Sequence, residues 1–252
     1  MAVSFTRAAC GEPGRRSPRR GCDLAHSTTP SGTGQAARGR LRARCGAHAL
    51  IRGMARPRLH SPDALLDAAE ALVVGSGRPG LTVRALAARA GASNGSVYHA
   101  FGDLETLLAS AWLRRARQFL ALLRDAVDAE LAAGGGRRAV QAAADSPARL
   151  AEQDLGAAQL LTALTREEIL AEGVAEPVAA DLRALDRELA GVLRTLARAT
   201  HGRADRAAVD VVTTCVVRLP AALLFPEIRA GRVRPLTRRH LAAAVGAVLD
   251  TP

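Results

Sequence analysis

The chain has 252 residues, of which 48% are hydrophobic and only 2% aromatic, so any core must be built mainly from Ala, Leu and Val. Its net charge of +11 is unevenly placed: residues 1–53 carry ten Arg against Glu12 and Asp23, a net of +8, and the rest of the chain carries +3. A mildly basic body can still bind nucleic acid locally, so the total charge neither establishes nor excludes that function.

Residues 1–53 are rich in Gly, Pro, Ser and Arg and show no periodic apolar face, which predicts a disordered basic tail. The tail lacks the apolar stretch of a secretory signal, and an organellar transit peptide remains an alternative. Three of the four cysteines lie here at irregular gaps that do not suit a zinc site, and we expect no metal or cofactor. The composition changes at Met54, which leaves open a translation start at that residue. No apolar run approaches the ~20 residues of a membrane span, so we expect a soluble, cytoplasmic protein without a membrane partner.

The first helix is expected after Met54. Ser61 is a good N-cap, Pro62 suits the first helical position, and the apolar residues of "PDALLDAAEALVV" recur at helical spacing for about three turns. The following "GSGRPG" contains the G-x-G-x-x-G pattern of dinucleotide-binding folds. That motif needs a strand before it and a long helix after it, and neither is predicted, so we interpret it as a glycine-rich turn.

The stretch "LTVRALAARAGASNGSVYHAFGDLETLL" predicts two short helices followed by a third. Thr82 caps the first, Gly91 ends it, Ser93 caps the second and Asp103 caps the third. Two helices joined by so short a glycine turn are typical of a helix-turn-helix unit, although a hairpin that serves packing alone has the same pattern. The second helix of such a unit enters the DNA major groove.

Polar residues of the second helix suit that role. Asn can read adenine, Ser can bind a base or a phosphate, Tyr can reach a phosphate, and a glycine allows close approach of the backbone. The residues of these types, together with the capping serine and a neighbouring histidine, are Ser93, Asn94, Gly95, Ser96, Tyr98 and His99.

Residues 65–108 resemble the TetR family of bacterial transcriptional regulators. The resemblance is carried by the leucine-rich first helix, the "LTVR" that opens the second, the "AGAS" turn and the "YHAF" before the capped third helix. It implies that Thr82 and Tyr98 hold phosphates. It also implies that Arg84, Asn94, Gly95, Ser96 and His99 lie at or near bases. Two positions depart from the family, which commonly has Lys or Arg where Asn94 stands and Lys where Leu104 stands.

The rest of the sequence predicts further helices and no strands. One long helix runs from Leu104 to about residues 134–136, and a helical region runs from Ser146 and Pro147 through Ile169. A helix starts at Pro177, another is capped by Asp205 and kinked or ended by Pro220, and Thr237 caps the last. The expected fold is all-α with about nine helices. It comprises a three-helix DNA-binding domain at residues 54–108 and a larger helical domain at 109–252 for ligand binding and dimerisation.

The last two helices carry apolar residues on more than one face. The small residues Ala243, Gly246 and Ala247 lie beside the face that contains Val245, which predicts a homodimer through these helices. A fully buried terminal helix in a monomer is the alternative. A ligand pocket is expected between the long helix and its neighbours. Its aromatic and polar candidates are Trp112, Phe119, Gln159, Thr162, Thr165 and Arg166.

These patterns together predict a ligand-responsive, sequence-specific DNA-binding regulator. We expect a dimeric repressor that binds a near-palindromic operator in double-stranded DNA and is released by an unidentified small molecule. The sequence assembles no catalytic triad, metal site or phosphate loop, so we do not expect an enzyme. Asn94 and Leu104 keep open an all-α interaction or small-molecule-binding protein without specific DNA binding.

Overall fold

The computed structural model describes residues 61–170 and 173–251. The expectations for the basic tail, for Met54 and for the three N-terminal cysteines lie outside these residues. Within them the chain is helical and contains no strand, which confirms the all-α prediction.

The first four helices are α1 (Pro62–Gly80), α2 (Val83–Ala90), α3 (Asn94–Phe101) and α4 (Leu104–Ala132). Each begins where a predicted side chain caps it, because the capping oxygen accepts an otherwise unpaired N–H of the first turn. The capping side chains are Ser61, which accepts from Asp63 N at 3.2 Å, Thr82, Ser93 and Asp103.

Helix α1 is longer than predicted, since it reaches Gly80 with a break at Gly77. That glycine has φ 70° and ψ 177°, a conformation that favours a residue without a side chain. The glycine motif therefore lies inside α1, on both sides of the break at Gly77, and is preceded by helix rather than by a strand. The context of a dinucleotide-binding motif is missing, but the prediction that these glycines end the helix as a turn is wrong.

The prediction of a helix that starts at Ser146 is wrong. Helix α5 (Gly136–Gln153) begins at the last glycine of the glycine run and includes Pro147 in its interior. Burial explains the difference, because the first turns of α5 place small apolar residues in the core and this packing outweighs the helix-breaking residues. Those residues are Ala139, Val140, Ala143 and Ala144. Beside the proline, Ser146 Oγ donates to the carbonyl of Ala142 at 3.0 Å.

The predicted region also divides into further helices, α6 (Leu155–Ala163) and α7 (Arg166–Ile169). Asp154 caps α6 by accepting from Ala157 N at 2.9 Å. Thr165 and Glu168 form a reciprocal capping box at the start of α7. Both signals are present in the sequence, and each marks a helix start inside the stretch that periodicity alone predicts as one region.

The remaining helices are α8 (Glu176–His201), α9 (Arg206–Thr213), α10 (Leu219–Leu223), α11 (Phe225–Arg229) and α12 (Pro235–Asp250). The starts predicted at Pro177 and Asp205 are confirmed. A π-helical turn, Thr214–Arg218, joins α9 to α10 just before Pro220. The helical path therefore continues past Pro220 through a wider turn and does not end there.

Thr237 is not the cap of the last helix, which begins earlier, at Pro235. Its buried hydroxyl instead donates to Glu227 Oε1 at 2.7 Å. Cys215 lies fully buried in the π-helical turn, and burial raises the pKa of its thiol to about 11.

Two apolar clusters form the core, and α4 contributes to both. Residues 107–113 of α4 pack with α1–α3 in the first cluster, and residues 120–127 pack with α5 and α8–α12 in the second. The first cluster is completed by Leu160, Leu164, Ile169 and Leu182 from α6, α7 and α8. Helix α4 thus runs uninterrupted through the domain boundary predicted after Leu108. None of the helices in the described ranges is long and apolar enough to cross a membrane.

Ion pairs between helices show how the long helices run. Arg117 pairs with Asp181 at 2.8 Å and Arg124 with Glu188 at 3.0 Å, an equal step on each helix, so α4 and α8 are parallel. Arg137 at the start of α5 binds Asp250 at the end of α12, and Arg238 at the start of α12 binds Asp145, so α5 and α12 are antiparallel.

Candidate nucleic-acid interface

The turn between α2 and α3 fixes which face of α3 is exposed. Gly91 ends α2 with φ 66°, a left-handed conformation that suits glycine. Leu86 of α2 and Val97 of α3 are completely buried and anchor the two helices on the first cluster. The polar side of α3 consequently faces outward.

The outward face of α3 contains most of the predicted DNA-binding residues. Asn94, Tyr98 and His99 are exposed, and Gly95 between them leaves the backbone open. Tyr98 is 54% exposed and is one of the two large exposed hydrophobic side chains among the described residues. The ring and its hydroxyl are therefore available to a molecule that approaches this face.

The two serines of the set are already engaged with each other. Ser93 Oγ accepts from Ser96 N at 3.1 Å, and the two hydroxyl oxygens are 2.8 Å apart. One hydroxyl donates to the other, so a single hydroxyl hydrogen of the pair remains for an outside acceptor. Thr82 Oγ1 accepts from Ala85 N at 3.1 Å, which leaves its own O–H free to donate. Thr82, and one hydroxyl of the serine pair, can thus donate to a phosphate while the caps of α2 and α3 remain formed.

The charge around α2 and α3 is positive. Residues 82–102 contain Arg84, Arg89 and His99 and no Asp or Glu. Both arginines are exposed, and the ion pairs seen in the described residues do not include them. The acids that follow this segment in the sequence already have partners. Asp103 accepts from Thr106 N at 2.6 Å as the cap of α4, and Glu105 pairs with Arg78.

Arg89 was not singled out from the sequence. Its signal is the absence of any acid in the α2–α3 segment, which leaves both arginines without a local partner. Leu104, which departs from the family pattern, is half-buried and packs against the first cluster. Asn94, the other departure, is exposed at the start of α3.

The six candidate ligand residues are not gathered at one place. Trp112 packs against the first cluster and Phe119 against the second. The side chains of three polar candidates form hydrogen bonds within the protein. Gln159 Nε2 donates to the carbonyl of Arg229 at 3.4 Å, Thr162 Oγ1 donates to the carbonyl of Ala158 at 2.9 Å, and Thr165 forms the capping box of α7.

Two of the six candidates retain buried donors without a partner in the described residues, Trp112 Nε1 and Arg166 Nε. The guanidinium of Arg166 also pairs with Asp186 of α8. Burial raises the pKa of Asp186, and the neighbouring Arg166 opposes that rise. An unsatisfied buried donor costs about 1–3 kcal/mol, so a ligand that supplies an acceptor would gain from binding at either side chain.

A groove of about 280 Å³ lies between α4 and α8 and was not predicted. Gly191 lies on its α8 side and leaves open space where a side chain would stand. The sequence feature that could have indicated this groove is a glycine inside an amphipathic helix. None of the six candidates lines this groove. Its lining residues are Arg124, Val127, Asp128, Glu188, Gly191, Val192 and Thr195.

The two apolar faces of α12 have different surroundings in the structure. Leu241 and Val245 are buried inside the protomer, whereas Ala243 and Ala247 are exposed and Gly246 is half-buried. The small-residue strip is therefore the part of α12 that is open to a second chain.

Over residues 61–170 and 173–251, the fold and the outward face of α3 define an all-helical architecture with a helix-turn-helix unit in its first part. Residues 65–111 match the family model described as "Bacterial regulatory proteins, tetR family". This match confirms that the chain carries the TetR-family pattern recognised in the sequence. A search of curated proteins finds no match.

Solved structures share the fold. The TetR family transcriptional regulator PfmR from Thermus thermophilus aligns with a TM-score of 0.54 and 18% identity over 73% of this chain and 96% of that one. A putative transcriptional regulator from Pseudomonas aeruginosa aligns with a TM-score of 0.54 and 28% identity over 75% and 88%. FadR from Bacillus subtilis, solved with stearoyl-CoA, aligns with a TM-score of 0.53 and 15% identity over 75% and 96%.

Proposed function

We propose that this protein is a homodimeric transcriptional repressor that binds a near-palindromic operator and leaves it when a small molecule binds. The residues proposed to contact DNA are Thr82, Arg84, Ser93, Asn94, Gly95, Ser96, Tyr98 and His99, to which the structure adds Arg89. We propose no catalytic activity. The protein would act in the cytoplasm, where it has access to the chromosome.

The exposed face of α3 carries the proposal. Val97 is held in the core while Tyr98, the next residue, is 54% exposed on a segment that lacks acids. A helix whose early polar residues project from a positive surface fits the major groove, with base edges read by Asn and Arg and phosphates held by hydroxyls.

Dimerisation is proposed through the last two predicted helices, and the exposed small-residue strip of α12 supports this proposal. A two-fold pair of helix-turn-helix units reads two half-sites, so the operator should be a near-palindrome. The effector site is proposed at Trp112 and Arg166, because their buried donors lack partners within the described residues. A ligand with an acceptor group and an apolar body would suit either side chain.

Selection from a random DNA library tests this function. The full chain is incubated with random duplexes, bound DNA is amplified over several rounds, and the selected sequences are aligned. We expect a two-fold motif that binds at least a hundredfold more tightly than random DNA at one fixed salt concentration. Selected pools without a common motif, or with equal affinity for random DNA, would favour the interaction or small-molecule-binding protein instead.

A further inference from the structure

Glu70 of α1 is a buried carboxylate held by two adjacent arginines of α4. Its side chain is 9% exposed. Arg114 Nη2 donates to Oε1 at 2.5 Å, and Arg115 donates to Oε2 from Nε at 2.9 Å and from Nη2 at 2.7 Å. A buried charge needs such partners, because its desolvation is costly.

The two arginines differ in what else they bind. Arg114 also reaches Asp67 at 2.5 Å and so connects α4 with α1 alone. Arg115 Nη1 donates to Asp154 Oδ2 at 3.1 Å, and Asp154 is the residue whose Oδ1 caps α6. One guanidinium therefore joins α1, α4 and the first turn of α6.

This bridge adds a polar contact between the helix-turn-helix unit and α6 to the apolar contact that Leu160 of α6 makes in the first cluster. Helix α1 belongs to the first cluster together with α2 and α3, so its orientation sets that of the recognition helix. The side chain of Arg115 is 22% exposed and that of Asp154 is 31% exposed, so water screens this contact less than it screens an exposed pair.

We propose that Arg115 is a positioning residue for DNA recognition: through Glu70 and Asp154 it fixes the helix-turn-helix unit at one orientation to α6. This inference rests on the proposed function, since the orientation matters only if two units of a dimer bind one operator. A single inserted base pair moves a half-site by about 3.4 Å and rotates it by about 35°. A rigidly held unit should reject that change, whereas a loosened unit should tolerate it.

Three substitutions separate positioning from general stability. Arg115→Met removes the bridge but leaves Glu70 paired with Arg114, so the fold should survive. Asp154→Asn keeps a capping oxygen for Ala157 N and turns an amide N–H₂ group, which cannot accept, toward Arg115. Arg114→Met is the matched control, because it also removes a partner of Glu70 but leaves the link to α6.

The experiment uses the full chain and the operator obtained by selection. Affinity is measured on that operator, on versions with one or two base pairs inserted between the half-sites, and on a single half-site. Thermal unfolding of each variant is measured beside it. We expect Arg115→Met and Asp154→Asn to bind the selected operator on the order of tenfold more weakly and to lose less affinity on insertion than the parent does. Their half-site affinity should be unchanged, and Arg114→Met should keep the parent's dependence on spacing.

Each other outcome has a distinct meaning. If Arg115→Met and Asp154→Asn keep the parent's spacing dependence, or lose affinity equally on every DNA including the half-site, the positioning role is wrong and the proposed function stands. If Arg114→Met relaxes spacing equally, the link to α6 is not the cause. If the parent protein selects no operator, both the proposed function and this inference are wrong.

Discussion

The close contact between the first residue of α5 and the last turn of α8 allows a sharp test of the packing. A Cβ atom added at Gly136 would lie 2.4 Å from the carbonyl oxygen of Ala199 and 2.8 Å from its carbon. Ordinary contact begins near 3.4 Å, so one helix end must move by roughly 1 Å. Both contacting atoms are backbone, which cannot rotate away as a side chain can.

Gly136→Ala should therefore destabilise the protein by about 1–3 kcal/mol, the usual cost of overpacking. The matched control is Gly191→Ala, in the interior of α8, where the added Cβ has no neighbour nearer than Arg194 Nη2 at 4.0 Å. That change should stabilise the protein by about 0.5–1 kcal/mol, because alanine loses less backbone entropy in a helix. The same chemical substitution is thus expected to act in opposite directions at the two sites.

Urea unfolding at one protein concentration, followed by circular dichroism, measures both changes. A shift in midpoint at constant m-value reports stability, and about 2–4 °C of melting temperature per kcal/mol should accompany it. The packing of α5 against α8 would be refuted if Gly136→Ala were as stable as the parent. A loss of stability in Gly191→Ala would contradict the open space beside that residue.

Two further predictions concern acid stability and assembly. The backbone N–H of Arg234, then the hydroxyl of Thr237, hold the pKa of Glu227 at about 2, below its usual 4.5, so the carboxylate stabilises the fold above pH 4.5 and this contribution is lost as the pH falls toward 2. Parent protein should therefore lose more stability between pH 4.5 and 2 than Glu227→Gln, and equal losses in thermal melts would count against this role. For assembly, Ala243→Glu should turn a dimer into a folded monomer in sedimentation experiments, whereas Val245→Glu should unfold the protomer because Val245 is fully buried. A dimer that tolerates Ala243→Glu would place the interface elsewhere.

Local chemistry was predictable from the sequence because it acts over a few residues. Thr82, Ser93 and Asp103 cap the helices that they were expected to cap, since each accepts an N–H three residues ahead. Helical spacing also predicted that Val97 would be on the inward face of its helix, where it is buried.

Features that depend on tertiary packing were not predictable. Helix α5 starts at Gly136 despite its glycines and Pro147 because its alanines are buried by helices distant in sequence. The bridge from Glu70 through Arg115 to Asp154 joins residues about 40 positions apart, and no periodicity indicates it. Which apolar side of α12 is buried inside the protomer was not predictable for the same reason, since an apolar stripe does not show which partner covers it.

The central claim is that the exposed face of α3 reads DNA, and the ratio of specific to random DNA affinity tests it most directly. Fluorescence anisotropy at one fixed salt concentration would compare the parent with Asn94→Ala, Tyr98→Phe and a control, Arg198→Ala, an exposed arginine in the last turn of α8. Asn94→Ala should lower the specific affinity by about 1–3 kcal/mol and random affinity much less, because base contacts carry discrimination. Tyr98→Phe should weaken both by ~1 kcal/mol through a lost phosphate contact, and the control should change neither. If the α3 variants bind both DNAs as the parent does, α3 is not the recognition helix.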